Sequence, residues 1–229
     1  MAKIAVVIFP GSNCDRDAFY VVKDILGKSV TYHWHDEPIR DEYKAVILPG
    51  GFSYGDYLRA GALAKISPAV SSLGPFIDRG GWVLGICNGF QTLVEAGYLP
   101  GALMKNRSLQ FQCEDVHVRI ESTKAPFFDD GMKGKVLRLP IAHSEGRYDA
   151  DDATLGSLRT RNQIALRYVG PKGEEEDRFN ANGSAAAIAG ITNERGNVFG
   201  LMPHPERCSD EALGNTDGLT LLRKLGSIV

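Results

Sequence analysis

Short runs of Val, Ile and Leu alternate along the first half of the chain with stretches in which apolar residues recur at helical spacing. The pattern predicts strands at residues 4–9, 30–35, 45–48 and 82–86. It predicts helices near residues 14–26 and 56–70, and after residue 87. Alternation of buried strands with helices is typical of an α/β fold with a doubly wound, mostly parallel sheet, of the flavodoxin-like kind.

The pattern changes in the second half of the chain, where strands follow one another through polar loops. Strands are predicted at residues 116–120, 136–141 and 164–169, and two more are expected within 177–201, around the turns Asn182-Gly183 and Arg195-Gly196. We expect these strands to be antiparallel additions to the same sheet, followed by a last helix near 217–225. The chain is thus predicted to form a single domain, residues 1–229.

The composition narrows the class of protein. A chain of 229 residues with 43% hydrophobic content can bury a complete core. A net charge of −2 gives no field that would attract nucleic acid or an anionic membrane, and no apolar run approaches the roughly 20 residues of a membrane span. Met1-Ala2-Lys3 leads directly into the first predicted strand, so no signal peptide is expected. Four cysteines without paired spacing favour a reducing cytoplasm.

Cys87 is the residue with the most informative surroundings, because it lies between an apolar strand and an amphipathic helix, with Gly85 and Gly89 two residues away on each side. Small residues at these positions permit the strained turn that exposes a nucleophile at the end of a strand. A thiol titrates near ~8.5, so a thiolate at neutral pH needs about 2.7 kcal/mol of stabilisation. A helix N-terminus supplies about 0.3–1 kcal/mol when exposed. A second group that stabilises the thiolate or accepts its proton is therefore required.

The segment His204-Pro205-Glu206 offers that group. Pro205 fixes its own φ and restricts His204 to extended backbone angles, so the side chains at 204 and 206 are held in a stiff local arrangement. Glu206 could then bond one ring nitrogen of His204 and leave the other to face Cys87. The sequence therefore predicts a Cys87–His204–Glu206 triad.

At these residues the chain resembles the class I, or triad, glutamine amidotransferases, whose signature is Gly-x-Cys-x-Gly-x-Gln followed later by His-Pro-Glu. Longer runs are similar to one subfamily, the glutaminase subunits of phosphoribosylformylglycinamidine synthases. Those runs are residues 9–15, 49–62, 140–148, 182–184 and 192–198. The resemblance covers nearly the whole chain.

The mechanism that follows is hydrolysis of glutamine through a thioester on Cys87, with His204 moving the protons. The backbone N–H groups of Asn88 and Gly51 are predicted to hold the oxyanion. By resemblance, Gln91 and Phe52 help to hold the substrate glutamine. No metal site is predicted, and no organic cofactor is implied for this half-reaction.

The resemblance also implies partners. A large synthetase subunit would use ATP and Mg²⁺ to activate phosphoribosylformylglycinamide and would receive the ammonia, and a small third subunit would bridge the two. The chain itself contains no P-loop or other ATP-activating segment.

The sequence leaves two other functions open. A stand-alone cysteine hydrolase of the same fold would act on γ-glutamyl compounds without any partner. A catalytically silent binding module would use Cys87 as a redox sensor. The sequence assigns no role to Cys14 or His143.

Overall fold

A computed structural model describes residues 3–227. Its strands are β1 (Lys3–Ile8), β2 (Val30–Trp34), β3 (Tyr43–Leu48), β4 (Trp82–Ile86), β5 (Ala102–Met104), β6 (Gln112–Ile120), β7 (Val136–His143), β8 (Arg147–Asp149), β9 (Ile164–Val169), β10 (Ile188–Thr192) and β11 (Val198–Leu201). Its α-helices are α1 (Asp15–Tyr20), α2 (Pro68–Ser71), α3 (Leu73–Asp78), α4 (Asn88–Glu95), α5 (Asp152–Thr160) and α6 (Asp217–Leu222). Met1 and Ala2, on which the expected lack of a signal peptide depends, lie outside the described residues.

Nine strands form one sheet in the order β2-β1-β3-β4-β11-β10-β9-β6-β7. The first five strands in this order pair in parallel, and the last four extend the sheet through antiparallel pairs. The predicted α/β sheet with antiparallel additions is confirmed. β5 and β8 form a separate two-stranded ribbon that the sequence pattern did not predict.

The central parallel strands are buried almost completely, as their Val- and Ile-rich sequences require when both faces of a sheet are covered. Their register positions the candidate chemistry. Ile86 at the end of β4 is the parallel partner of Leu201 at the end of β11. The segments that follow, containing Cys87 and His204, therefore leave the sheet side by side at its carboxyl edge, where ligands bind in folds of this kind.

The prediction of a helix near residues 56–70 is wrong. The chain forms short 3₁₀ turns at Ser53–Asp56 and Ala64–Ile66, and Tyr54, Asp56 and Leu58 have positive φ, which no α-helix accommodates. Regular helix begins only at α2, where Ser67 caps the N-terminus and Pro68 occupies the first position.

One helix was not predicted, and one other prediction needed a smaller correction. The unpredicted helix is α5, which begins at Asp152 and whose first turn is capped by the Asp151 side chain. The last helix is α-helical only to Leu222 and continues as a 3₁₀ segment, Arg223–Ser227. Within residues 3–227, no helix combines the length and the apolar character needed to cross a membrane.

The contact between α4 and β3 allows a test of the packing. A Cβ atom at Gly89 would overlap the carbonyl oxygen of Leu48. We expect Gly89→Ala to lower the free energy of unfolding by about 3 kcal/mol, the upper end of the usual cost of overpacking. Gly156→Ala is the matched control, because Gly156 lies within α5 with open space around it, and Ala there should stabilise by roughly 0.5–1 kcal/mol. Urea denaturation of both variants checks this, and equal stabilities would contradict it.

Candidate active site

Cys87 occupies a strained turn between β4 and α4, with φ 49° and ψ −104°. Its N–H donates to the Leu201 carbonyl at 2.8 Å, and its own carbonyl accepts from the Gln91 N–H at 3.0 Å. The backbone of Gly89 lies so close that a Cβ at Gly85 would be 2.7 Å from it. The predicted elbow with its flanking glycines is therefore present, and Cys87 lies at the N-terminus of α4, where the helix dipole favours negative charge.

His204 and Glu206 form a buried pair, with Nδ1 of His204 and Oε1 of Glu206 2.6 Å apart. The His204 N–H donates to the Pro140 carbonyl at 2.8 Å, which fixes the backbone that carries the ring. Nε2 of His204 and Oε2 of Glu206 are buried and have no hydrogen-bond partner among the described residues. Nδ1 of the imidazole is thus bonded to Glu206, and Nε2 is available for a reaction.

The protonation of His204 follows from three opposing influences. Burial on its own lowers the pKa of His204, but the charge of Glu206 and then that of Cys87 outweigh it, so the pKa lies well above its ordinary value. Nε2 makes no short hydrogen bond, yet the Cys87 sulfur is near enough to act on the ring electrostatically. The arrangement favours a protonated His204 next to the Cys87 sulfur, the pairing that activates a cysteine nucleophile.

A pocket of about 240 Å³ brings the candidate residues together. Its lining includes Cys87, His204, Gly51 and Phe52, while Glu206 is buried behind His204. The remaining lining residues are Asn13, Cys14, Phe111, Cys113, Ala142 and Arg207. Four of the predicted site residues therefore share one cavity.

Gly51 lies in a loop that requires glycine. Its φ is +144°, and a Cβ there would be 2.8 Å from Ser12 Cα and from the Asn13 nitrogen. The Phe52 N–H donates to the Gly11 carbonyl at 3.0 Å, which fastens this loop to the segment after β1. Only glycine therefore fits at this position, and Gly51 lines the pocket that contains Cys87, where a backbone oxyanion donor is needed.

The side chains of Asn88 and Gln91 connect α4 to its neighbouring loops. Asn88 accepts from the Ser53 N–H at 3.0 Å and donates to Asp56 at 3.1 Å and to Gln91 at 3.0 Å. The Gln91 amide donates to the Glu145 carbonyl at 2.5 Å. Neither side chain lines the pocket with Cys87. Through the hydrogen bonds given above, both amides instead hold the loops around that pocket.

Sequence reasoning gave no role to Cys14 and did not consider Arg207, and the structure places both in the pocket. Arg207 directly follows the His-Pro-Glu motif, which is a signal that could have drawn attention to it. Cys14 Sγ, a ring nitrogen of His204 and a carboxylate oxygen of Glu206 all lie within 4.8 Å of one another. Cys14 is thus part of the environment of His204.

His143 lies next to Ala142 but outside the pocket. It is buried, and its Nδ1 lies 3.1 Å from Oδ1 of Asn106. Burial, followed by the charge of His204, lowers the pKa of His143 to about 4. His143 is therefore a neutral imidazole at physiological pH.

Comparison with known proteins shows the family to which the chain belongs. The family model described as the CobB/CobQ-like glutamine amidotransferase domain matches residues 1–217. The chain belongs to this family and is a glutamine amidotransferase, which confirms the resemblance carried by the motifs around Cys87 and His204.

Relatives identify the subfamily. The phosphoribosylformylglycinamidine synthase subunit PurQ of Moorella thermoacetica is 51% identical over 223 residues, covering 97% of this chain and 94% of the relative. The subunit of the same name from Koribacter versatilis is 49% identical over 223 residues, covering 97% and 96%. A solved structure of PurLQS from Thermotoga maritima matches with a TM-score of 0.84 and 43% identity, over 98% of this chain and 97% of that one.

Proposed function

We propose that the chain is the glutaminase subunit of a phosphoribosylformylglycinamidine synthase, and that it hydrolyses L-glutamine to glutamate and ammonia. The observation that carries this proposal is the buried His204–Glu206 pair, because His204 lines the same pocket as Cys87 and the backbone of Cys87 is held at a positive φ. The high identity to PurQ subunits over almost the whole chain supports the choice of subfamily.

The first step forms a thioester. The Cys87 thiolate attacks the side-chain carbonyl carbon of glutamine and forms a C–S bond. The C–N bond then breaks, and the leaving nitrogen takes the proton from Nε2 of His204 and departs as ammonia. Glu206 stabilises the imidazolium and fixes the ring through Nδ1.

The tetrahedral oxyanion needs donors already in place. We assign this role to the backbone N–H of Asn88, at the start of α4, and to that of Gly51. Preorganised backbone donors of this kind are worth roughly 10²–10³ in rate each. Gly51 fits because only glycine permits the close approach of its loop.

In the second step water attacks the thioester, and neutral His204 accepts the proton of the water as the C–S bond breaks. Glutamate and the Cys87 thiolate are released. These two steps use only protein groups and water, so we propose that this subunit needs neither a metal nor an organic cofactor.

Phe52 and Gln91 are proposed to contribute to glutamine binding. Phe52 is 45% exposed at the pocket, where its ring can cover the substrate. Because the Gln91 amide is bonded to Asn88 and Glu145, a bond to substrate would require exchange of one of these contacts.

The ammonia must be consumed elsewhere. We propose a complex with a large synthetase subunit, which uses ATP and Mg²⁺ to convert phosphoribosylformylglycinamide to phosphoribosylformylglycinamidine, and with a small bridging subunit. The matching structure described as PurLQS supports such an assembly. We further propose that residues 1–229 act as one domain in the cytoplasm, where the free thiols of the four cysteines would stay reduced.

We expect the isolated subunit to turn glutamine over slowly and the synthetase to accelerate it, because an unregulated thiolate would waste glutamine. The Gly51 N–H need be misplaced by only about 1 Å to cost roughly 10²-fold in rate. The segment 54–59, linked to α4 through Asp56 and Asn88, could correct that position when a partner contacts it. Glutaminase rates with and without the synthetase measure the effect.

Ammonia supplies the matching control. In a complex carrying Cys87→Ala, added ammonia should still support synthesis, since the synthetase site is untouched. Equal glutaminase rates with and without the synthetase, together with no ammonia-dependent product, would favour a stand-alone hydrolase of γ-glutamyl compounds. Oxidation of Cys87 without any glutamine turnover in the complete complex would favour the redox module.

A further inference from the structure

A cluster formed by Arg207, Cys14 and Asp17 lies beside the triad, and we call it the Arg207 clamp. Arg207 Nη2 donates to the Cys14 sulfur at 3.0 Å, and Arg207 Nε lies 3.5 Å from Oδ2 of Asp17. Cys14 and Asp17 belong to the start of α1, whereas Arg207 lies in the turn that carries His204 and Glu206. The clamp therefore ties α1 to that turn across 193 residues of sequence.

The Cys14 sulfur is packed against His204. A Cβ at Gly50 would lie 2.6 Å from His204 Cε1 and 3.1 Å from Cys14 Sγ, so the ring, the sulfur and the Gly50 backbone share one small space. The Cys14 N–H also donates to the Gly50 carbonyl at 3.2 Å, next to Gly51. Cys14 thus touches both the base and the loop of the candidate oxyanion donor.

The sulfur is already engaged as both donor and acceptor. Its S–H donates to Asn13 Oδ1 at 3.0 Å while it accepts from Arg207. Cys14 is 1% exposed and has none of the elbow geometry of Cys87. Its chemistry is therefore that of a fixed contact and not of a second nucleophile.

We propose that Cys14 is a positioning residue for the glutaminase reaction: clamped by Arg207, its sulfur holds the His204 ring so that Nδ1 stays on Glu206 and Nε2 stays available to Cys87. This proposal rests on the proposed function. A shift of the ring by about 1 Å would cost roughly 10²-fold in rate, so loss of the contact should appear in kcat.

The pKa of His204 gives a second reason to assign this role to Cys14. Burial lowers the pKa of His204, whereas the charges of Glu206 and Cys87, followed by the nearby sulfurs of Cys14 and Cys87, raise it. Without Cys14 the pKa should fall. Because His204 must be protonated to release ammonia, activity would then be lost at lower pH as pH rises. The titratable and charged groups around His204 on the surrounding elements are Glu206, Cys87, Cys14, Asp17 and His143, together with Arg207, which contacts Cys14.

The test compares Cys14→Ala, Cys14→Ser and Cys113→Ser, each in the complex with the synthetase. Cys113 lines the same pocket but is exposed, which makes it the matched control. We expect Cys14→Ala to reduce kcat roughly 10-fold with little change in KM, and to move the alkaline limb of the pH profile to lower pH. Cys14→Ser keeps a hydroxyl that can donate and accept, so it should recover most of the activity.

A purely structural role predicts a different result. It would lower the Tm of Cys14→Ala while kcat and the pH profile match those of Cys113→Ser, and this outcome would overturn the proposal. Wild-type enzyme is measured in parallel. Failure of wild type to release glutamate would count against the proposed function itself, whereas normal wild-type turnover with an unaltered Cys14→Ala profile would reject only the role of Cys14.

Discussion

Cys87→Ala is expected to abolish glutaminase activity and to leave the fold intact. Without the sulfur no thioester can form, and Ala removes only one atom from a 5% exposed position. Glutamate release measures the activity, and circular dichroism and the Tm measure the fold. The residual rate should be no more than the oxyanion donors and substrate binding alone support, several orders of magnitude below that of the wild type.

The other three cysteines provide controls. Cys14→Ser, Cys113→Ser and Cys208→Ser should each retain most of the activity. Burial raises the pKa of Cys208 to about 12, so its sulfur stays a thiol and cannot act as a nucleophile at neutral pH. Loss of thioester formation in folded Cys113→Ser, whose sulfur has no proposed role in positioning His204, would contradict the assignment of Cys87 as the nucleophile.

His204→Ala should lower kcat by about 10²–10⁴-fold, the usual contribution of a general acid–base. The substitution also leaves Glu206 buried without its partner, which costs roughly 3–5 kcal/mol of stability. His204→Asn is therefore tested beside it, and unfolding is followed for both. Rates are compared per folded molecule, so that instability is not counted as lost catalysis.

Glu206→Gln is a milder change that is measured beside His204→Ala. It should cost less activity than His204→Ala, because the amide still bonds the ring and only the charge that stabilises the imidazolium is lost. Full activity in His204→Ala would instead transfer the proton chemistry to another group. His143 is the histidine to examine in that event, since its charge state is coupled to that of His204.

The sequence predicted the sheet because its parallel strands are continuous Val- and Ile-rich runs, and burial on both faces leaves few other arrangements for such runs. The elbow at Cys87 was predictable for a similar reason: the restriction is local, and the two glycines are visible in the sequence. The pairing of His204 with Glu206 is local as well, because only Pro205 separates the two residues.

Other features depended on contacts between distant parts of the chain. The segment 53–66 contains apolar residues at helical spacing, but it folds as an irregular loop with positive φ at Tyr54, Asp56 and Leu58. Its Asp56 is held by the side chain of Asn88 on another element, which no local pattern reveals. The contact of Cys14 with Arg207 joins the two ends of the chain and became visible only in three dimensions.

Labelling by a glutamine analogue with an electrophilic side chain tests whether Cys87 is a nucleophile positioned to react with glutamine. The protein is treated with the analogue, digested, and its four cysteine-containing sites are compared by mass spectrometry, with excess glutamine as the competitor. We expect stoichiometric labelling of Cys87 alone, and we expect excess glutamine to prevent it. Labelling of Cys14 or Cys113 in its place, or labelling of Cys87 that glutamine does not slow, would contradict it.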